Sequence, residues 1–218
     1  MHRFYNFFIL CRFLEKEKHL HILINNAGLV TAGRETTCDG LEMQMGVNHF
    51  APFLLTNLLL DTMKKSAPSR IVNVSSVGHY RGQINKDDLQ SEYGSYHRLT
   101  AYLQSKLANV LFTRELAKRL KGTAVTANSL HPGVVRTDLA RNLTLLTILL
   151  YPFTWLQRSV TAGAQTSIMV SVDTDLVSVS GKYFSDCRIK EESYKAKDDE
   201  MAKWLWMKSE QLTKLFNK

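Results

Sequence analysis

Three short apolar runs, each ended by small or turn-making residues and separated by enough chain for a helix, constrain this 218-residue chain more than any other feature. Residues 20–24 (LHILI) run into Asn25-Asn26-Ala27-Gly28, residues 70–74 (RIVNV) into Ser75-Ser76, and residues 124–130 (AVTANSL) into His131-Pro132-Gly133. Apolar runs of this length bounded by turn formers read as buried strands. Between the first two, Leu41, Met45, Phe53, Leu54 and Leu58 have helix-compatible spacing, with Pro52 expected to kink the helix or mark its boundary. Between the second and third, Leu103, Leu107, Val110, Leu111 and Leu116 fall mainly on one helical face, and Gly122 is a plausible stop. A charged helical pattern over 14–18, further helix-like and strand-like segments at 162–172 and 182–185, and a closing helix with Trp204 and Trp206 complete the pattern. Alternation of this kind predicts an α/β fold, a doubly wound parallel sheet with helices on both faces. Ligands of such sheets bind at the carboxyl ends of the strands, so the three turn sequences above are where chemistry is expected.

With 44% hydrophobic residues, 218 residues suffice for one substantial core, so residues 1–218 read as a single domain. Lys plus Arg number 28 against 20 Asp plus Glu, a net charge of +8 that fits nucleic acid, an anionic membrane surface or an anionic cofactor. The basic residues are spread along helix faces, as at Arg114, Lys118, Arg119 and Lys121, with no aromatic-interleaved patch, which argues against nucleic acid. Cys11, Cys38 and Cys187 form no CxxC pair and no metal-ligand spacing, the usage expected in a reducing intracellular compartment without a structural metal. The N-terminal apolar run is far shorter than a membrane span and lacks a cleavage site. Residues 143–156 (LTLLTILLYPFTWL) are apolar but interrupted by Pro152, a length that suits contact with a membrane surface, ordinary helix packing or a homodimer face rather than a crossing.

Tyr102 and Lys106 lie four residues apart in a predicted helix, so their side chains project from one face a turn apart. A free tyrosine ionises only near pH 10, and using it as an acid/base near neutrality requires favouring the phenolate by about 4 kcal/mol. A nearby ammonium acts in that direction. In a chain with 8 tyrosines a chance Tyr-x-x-x-Lys is common, and a surface Tyr/Lys pair is the bland reading. The position of the match, on the helix after the strand that ends in Ser75-Ser76, is what raises it above chance.

Together, Asn73-Val74-Ser75-Ser76 at a strand end and Tyr-x-x-x-Lys on the next helix resemble the short-chain dehydrogenase/reductase family. The runs LHILINNAG, VNHF, PSRIVNVSS, YLQSKLANVLFTRELAKRL, HPGVVRT, GAQTS and SGKYFSD are similar to its retinol-dehydrogenase group, across about residues 14–206. The resemblance implies a Rossmann-type sheet and an NADP- or NAD-dependent oxidoreductase acting on a lipophilic, retinoid-like alcohol or aldehyde. It further implies that Tyr102 is the general acid/base, that Lys106 assists it and binds the nicotinamide ribose, and that Ser76 polarises the substrate carbonyl while Ser75 is a turn residue. Asn48 matches the asparagine that holds a relay water behind the lysine. Asn26, Ala27 and Gly28 match the turn beside the cofactor, and Pro132, Gly133, Val135 and Thr137 the segment that meets the nicotinamide carboxamide. His49, His79 and His131 are expected to be structural or to line the substrate loop.

Relatives of this kind open with a strand, a Thr-Gly-x-x-x-Gly-x-Gly loop and a helix whose amides receive the pyrophosphate. That loop is not in this sequence: Gly28 to Gly33 has a phosphate-loop spacing, but Arg34-Glu35 follows in place of Lys-Ser/Thr. The expectation is therefore a partial Rossmann-type sheet, truncated at its N-terminus with its first strands and glycine-rich loop missing. Two functional readings stand: an oxidoreductase, in this chain or a longer form of it, and a catalytically inactive fragment that acts as an interaction partner through an exposed sheet edge.

Overall fold

A computed structural model describes residue 10 and residues 12–135 and 158–214. Five strands form one sheet in the order β1-β2-β3-β4-β5, comprising β1 (Ile22–Asn25), β2 (Ser69–Val74), β3 (Val125–His131), β4 (Tyr183–Ser185) and β5 (Arg188–Lys190). The first four run parallel and β5 returns antiparallel to β4. Among the described residues the four long helices are α1 (Ala51–Lys65), α2 (Arg98–Arg119), α3 (Val160–Val172) and α4 (Asp199–Thr213). The expected α/β architecture is thus present, and the sheet departs from the all-parallel expectation only at β5. That hairpin is closed by Asp186 and Cys187, both at positive φ, the backbone of a tight two-residue turn made here without glycine.

Strand β2 shows why the sheet carries helices on both sides. Ile71 faces Phe53, Met63, Phe112, Leu116 and Trp206, contributed by α1, α2 and α4. Val72 and Val74 face the opposite way, onto Leu130, Val170 and Phe184, under α3. Because alternate residues point to opposite faces and both faces are covered, apolar residues Ile71, Val72 and Val74 serve both sides of the strand. Asn73, the polar residue among its last four, is buried and answered: it lies beside Asn25 in the register, accepts from Asn25 Nδ2 at 2.7 Å, and donates to Thr113 Oγ1 at 2.9 Å. Strand β1 is the outer strand of the sheet, with Ile22 and Ile24 39% and 43% exposed.

Pro52 resolves as a boundary. Residues Met43–Met45 begin a helix, Gly46–Phe50 widen into a π turn in which Ala51 donates to the Gly46 carbonyl, and α1 follows with Pro52 in its first turn. Proline has no N–H to return to the carbonyl four residues back, and the wider turn absorbs that lost bond. The consequence for the site is that Asn48 sits within the π turn. Helix α4 is held by Asp198, whose side chain accepts from the Met201 amide, and by Asp199 and Glu200 in its first turn, where acidic groups suit the helix dipole. No helix among the described residues is long and apolar enough to cross a membrane. The apolar segment 143–156 lies outside the described residues.

Candidate active site

The carboxyl ends of β1, β2 and β3 bring the predicted residues to one edge of the sheet. At the end of β2, Ser75 is buried, donates its backbone amide to the Leu130 carbonyl of β3 at 2.7 Å, and donates its hydroxyl to the Lys106 carbonyl at 2.6 Å. Its side chain is committed to fastening β2 to α2. Ser76 is the half-buried neighbour whose hydroxyl remains directed at the site: it accepts from the Gly78 amide at 3.0 Å and lies within hydrogen-bonding reach of the Tyr102 phenol.

Helix α2 carries Tyr102 and Lys106 on the expected face, with the Lys106 Nζ 5.7 Å from the Tyr102 ring centre. Lys106 is buried and donates to the Val74 carbonyl at 3.2 Å. Burial alone pushes its ammonium down to about pH 8. Burial is the largest influence on Tyr102 and raises its pKa, and the opposing influence is the hydrogen bond with Ser76. Desolvation outweighs that bond.

Asn48 is fully buried in the π turn. Its Oδ1 accepts from the Leu29 amide at 2.8 Å, while its Nδ2 donates to the Leu29 carbonyl at 3.0 Å and to Ser105 Oγ at 3.0 Å. Ser105 in turn donates to the Tyr102 carbonyl at 2.7 Å. The asparagine therefore clasps the segment after Gly28 to the turn of α2 that bears Tyr102. Gly28 is where Lys106 and Asn48 converge: a Cβ there would lie 3.3 Å from Lys106 Nζ and 3.4 Å from Asn48 Oδ1. Asn26 and Ala27 are exposed beside it, with the Asn26 amide donating to the Ile24 carbonyl at 3.1 Å. A side chain at this point would press on both the ammonium and the amide oxygen, so the close approach of the backbone suits glycine.

At the end of β3, Pro132 and Gly133 turn the chain and Val135 forms a bridge with Arg158. Gly133 has φ +91°, and a Cβ would fall 2.8 Å from Arg158 Cδ. Gly133→Ala is accordingly expected to cost about 1–2 kcal/mol from the left-handed backbone alone. A urea melt reads this as a lower midpoint, and an unchanged midpoint would mean that the turn relaxes without penalty. Thr137 lies outside the described residues. Among the described residues no group of three or more His, Cys, Asp or Glu could hold a metal ion.

Sequence reasoning missed Asn25, Ser105 and Arg158. Asn25 is buried and donates to Thr56 Oγ1 at 3.0 Å as well as to Asn73. Its signal was a polar residue at the last inward position of a buried strand, immediately before the Asn-Ala-Gly turn. Ser105 and Arg158 carry no local signal, since the partners that matter here, Asn48 and Asp186, are distant in the chain.

Residues 9–145 match the family model for short chain dehydrogenase. The chain belongs to the short-chain dehydrogenase family. Among curated relatives, human retinol dehydrogenase 12 is 53% identical over 194 residues, 89% of this chain and 61% of the relative. Human retinol dehydrogenase 13 is 48% identical over 210 residues, 94% of this chain and 63% of the relative. The chain thus spans about three fifths of the length of the curated relatives it matches. A solved structure of an uncharacterized protein from Mycobacterium paratuberculosis superposes with a TM-score of 0.73 at 35% identity, covering 94% of this chain and 71% of that one. A blue fluorescent protein from a metagenomic library, solved in complex with NADPH, superposes with a TM-score of 0.57 at 27% identity, covering 81% and 67%. Short-chain dehydrogenases of this kind are oxidoreductases.

Proposed function

We propose that this chain carries the catalytic face of an NAD(P)-dependent oxidoreductase, NADP-preferring, that interconverts a lipophilic, retinoid-like alcohol and aldehyde. The observation that carries the reading is the convergence of Ser76, Tyr102, Lys106 and Asn48 at one sheet edge, with Gly28 packed directly over the Lys106 ammonium. Similarity to retinol dehydrogenases supports the substrate class. Asn26 to Gly28, Pro132 to Val135, Tyr102 and Lys106 are the residues that would hold the nicotinamide end of the cofactor, and Thr137 would join them. When bound, the cofactor supplies or accepts the hydride.

The chain's own residues handle the oxygen and its proton. In reduction, Ser76 donates a hydrogen bond to the carbonyl oxygen and Tyr102 hands that oxygen its phenolic proton. Lys106 places positive charge beside the phenolate that results, and Asn48 fixes the turn of α2 from which Tyr102 projects. In oxidation the phenolate takes the proton back.

The test is NADPH binding by fluorescence titration of the purified, folded chain, together with retinal reduction by wild type and Ser76→Ala. Saturable binding and a turnover that falls roughly 10²-fold in the variant support the reading. A folded chain that neither binds nor turns over would make it a non-catalytic remnant, with the activity belonging to a longer form.

A further inference from the structure

The Ser76 hydroxyl can serve a carbonyl only if the backbone beneath it is held still, and one side chain bonds that backbone directly. His79 is wholly buried, three residues past Ser76 in the 3-10 turn Val77–Tyr80. Its ring Nδ1 meets the Ser76 carbonyl at 2.8 Å, and its own amide donates to the same oxygen at 3.1 Å. On the other side of the ring, the Ser193 amide donates to Nε2 at 3.2 Å. Ser193 caps the short helix Tyr194–Lys197 with its hydroxyl, so the contact reaches from the β2 end to the segment that precedes α4.

These bonds leave one protonation state. A backbone N–H pointing at Nε2 makes that nitrogen an acceptor, and a carbonyl facing Nδ1 makes that nitrogen the donor. Only the neutral ring with its proton on Nδ1 satisfies both; a second proton would set two donors against each other at Ser193. The ring plane is fixed by Tyr80 and Tyr183, whose centres lie 4.1 Å and 4.5 Å away. Burial favours the neutral form. Ser76 itself is extended, φ −158° and ψ 158°, the conformation from which its hydroxyl accepts the Gly78 amide and reaches Tyr102.

We propose that His79 is a positioning residue for Ser76: locked as the Nδ1–H tautomer between the Ser76 carbonyl and the Ser193 amide, it sets the direction of the Ser76 hydroxyl. Its bearing on catalysis rests on the functional reading above; its bearing on Ser76 does not. The imidazole touches no reacting atom. It couples the serine to the C-terminal segment, so that order in residues 193–197 is felt at the catalytic face.

The test has one arm that needs no activity. In the full chain labelled with 15N-histidine, with the His79→Asn spectrum used for assignment, His79 is expected to show the Nδ1–H tautomer. Exchange of the Gly78 amide, which reports on its bond to Ser76 Oγ, is then followed in His79→Leu, which keeps bulk without a donor, and in His79→Asn, which restores a donor near Nδ1. Leu is expected to speed exchange roughly tenfold, and Asn to recover most of the protection. In retinal reduction Leu is expected to lower kcat roughly 10²-fold with KM and NADPH affinity changed less than about twofold, and Asn to recover most of it. An Nε2–H tautomer, unaltered Gly78 exchange in His79→Leu, or equal impairment by Leu and Asn in folded variants would overturn the proposal. Absence of turnover in wild type would refute the functional reading, and the exchange series would still decide this one.

Discussion

Tyr102→Phe is expected to lower retinal reduction by roughly 10²–10⁴-fold, the range associated with loss of a positioned acid/base. Binding of NADPH and the melting temperature should hardly move, because the ring stays in place and only its hydroxyl is lost. The partner left behind is Ser76, which keeps its bond from Gly78 and is half-buried with water within reach, so no fully buried group is orphaned. The direction of reaction adds a second signature. Burial raises the phenol's pKa in the chain by itself, so alcohol oxidation, which needs the phenolate, should rise with pH through the alkaline range, whereas aldehyde reduction, which uses the phenol, should not share that rise. A bound nicotinamide ring's positive charge would draw the rise to lower pH. A Tyr102→Phe enzyme that retains wild-type turnover would remove Tyr102 from the mechanism.

Lys106→Met should make the protein more stable and useless as a catalyst. Lys106 is 4% exposed, and burial holds its ammonium down to about pH 8 from an ordinary 10.5. The unfolded chain therefore binds this proton more tightly than the folded one. Between about pH 8 and 10.5 the unfolded state holds the extra proton, so stability rises with pH through that window; below it the full cost of a buried cation, at most about 3 kcal/mol, is present. Methionine fills a similar volume without the charge. The Val74 carbonyl that Lys106 serves is not orphaned, since Asn109 Nδ2 also donates to it at 3.3 Å. A gain of about 2 kcal/mol, or a rise of about 4–8 °C in melting temperature, is expected at neutral pH, together with loss of the wild type's increase in stability between pH 8 and 10.5. Turnover should fall along with the positive charge beside the phenolate. Calorimetry across this pH range checks the first part, and a variant that melts lower than wild type would show that the ammonium's bond to Val74 outweighs its desolvation. Such a trade of stability for function is expected where a charge is kept buried for chemistry.

How far each feature could be read from the chain depends on the distance over which it is decided. The apolar run at 70–74 became β2 at Ser69–Val74, and the run at 124–130 became β3 at Val125–His131, with His131 paired in the sheet rather than opening the turn. Strand β5 was illegible because Arg188, Ile189 and Lys190 are all exposed, leaving no buried face to impose a period of two; it exists because β4 and the Asp186-Cys187 turn fold it back. Pro52 announced a boundary, yet whether the chain would kink or widen into a π turn depended on what Asn48 gained at Leu29 and Ser105, residues 19 and 57 positions away.

What the sequence by itself determined is whatever a helical or strand period can place: the order of strands and helices, the side-by-side projection of Tyr102 and Lys106 from α2, and the small residues at the strand ends. These follow from geometry internal to one element. The tertiary structure alone decided which way Lys106 points, that Ser75 rather than Ser76 is spent on fastening β2 to α2, that Asn25 and Asn73 answer each other across the sheet, and that His79 stands between the Ser76 carbonyl and the Ser193 amide. Each of these is a bond between groups far apart in the chain, and a buried polar group takes its role from the partner that packing puts beside it.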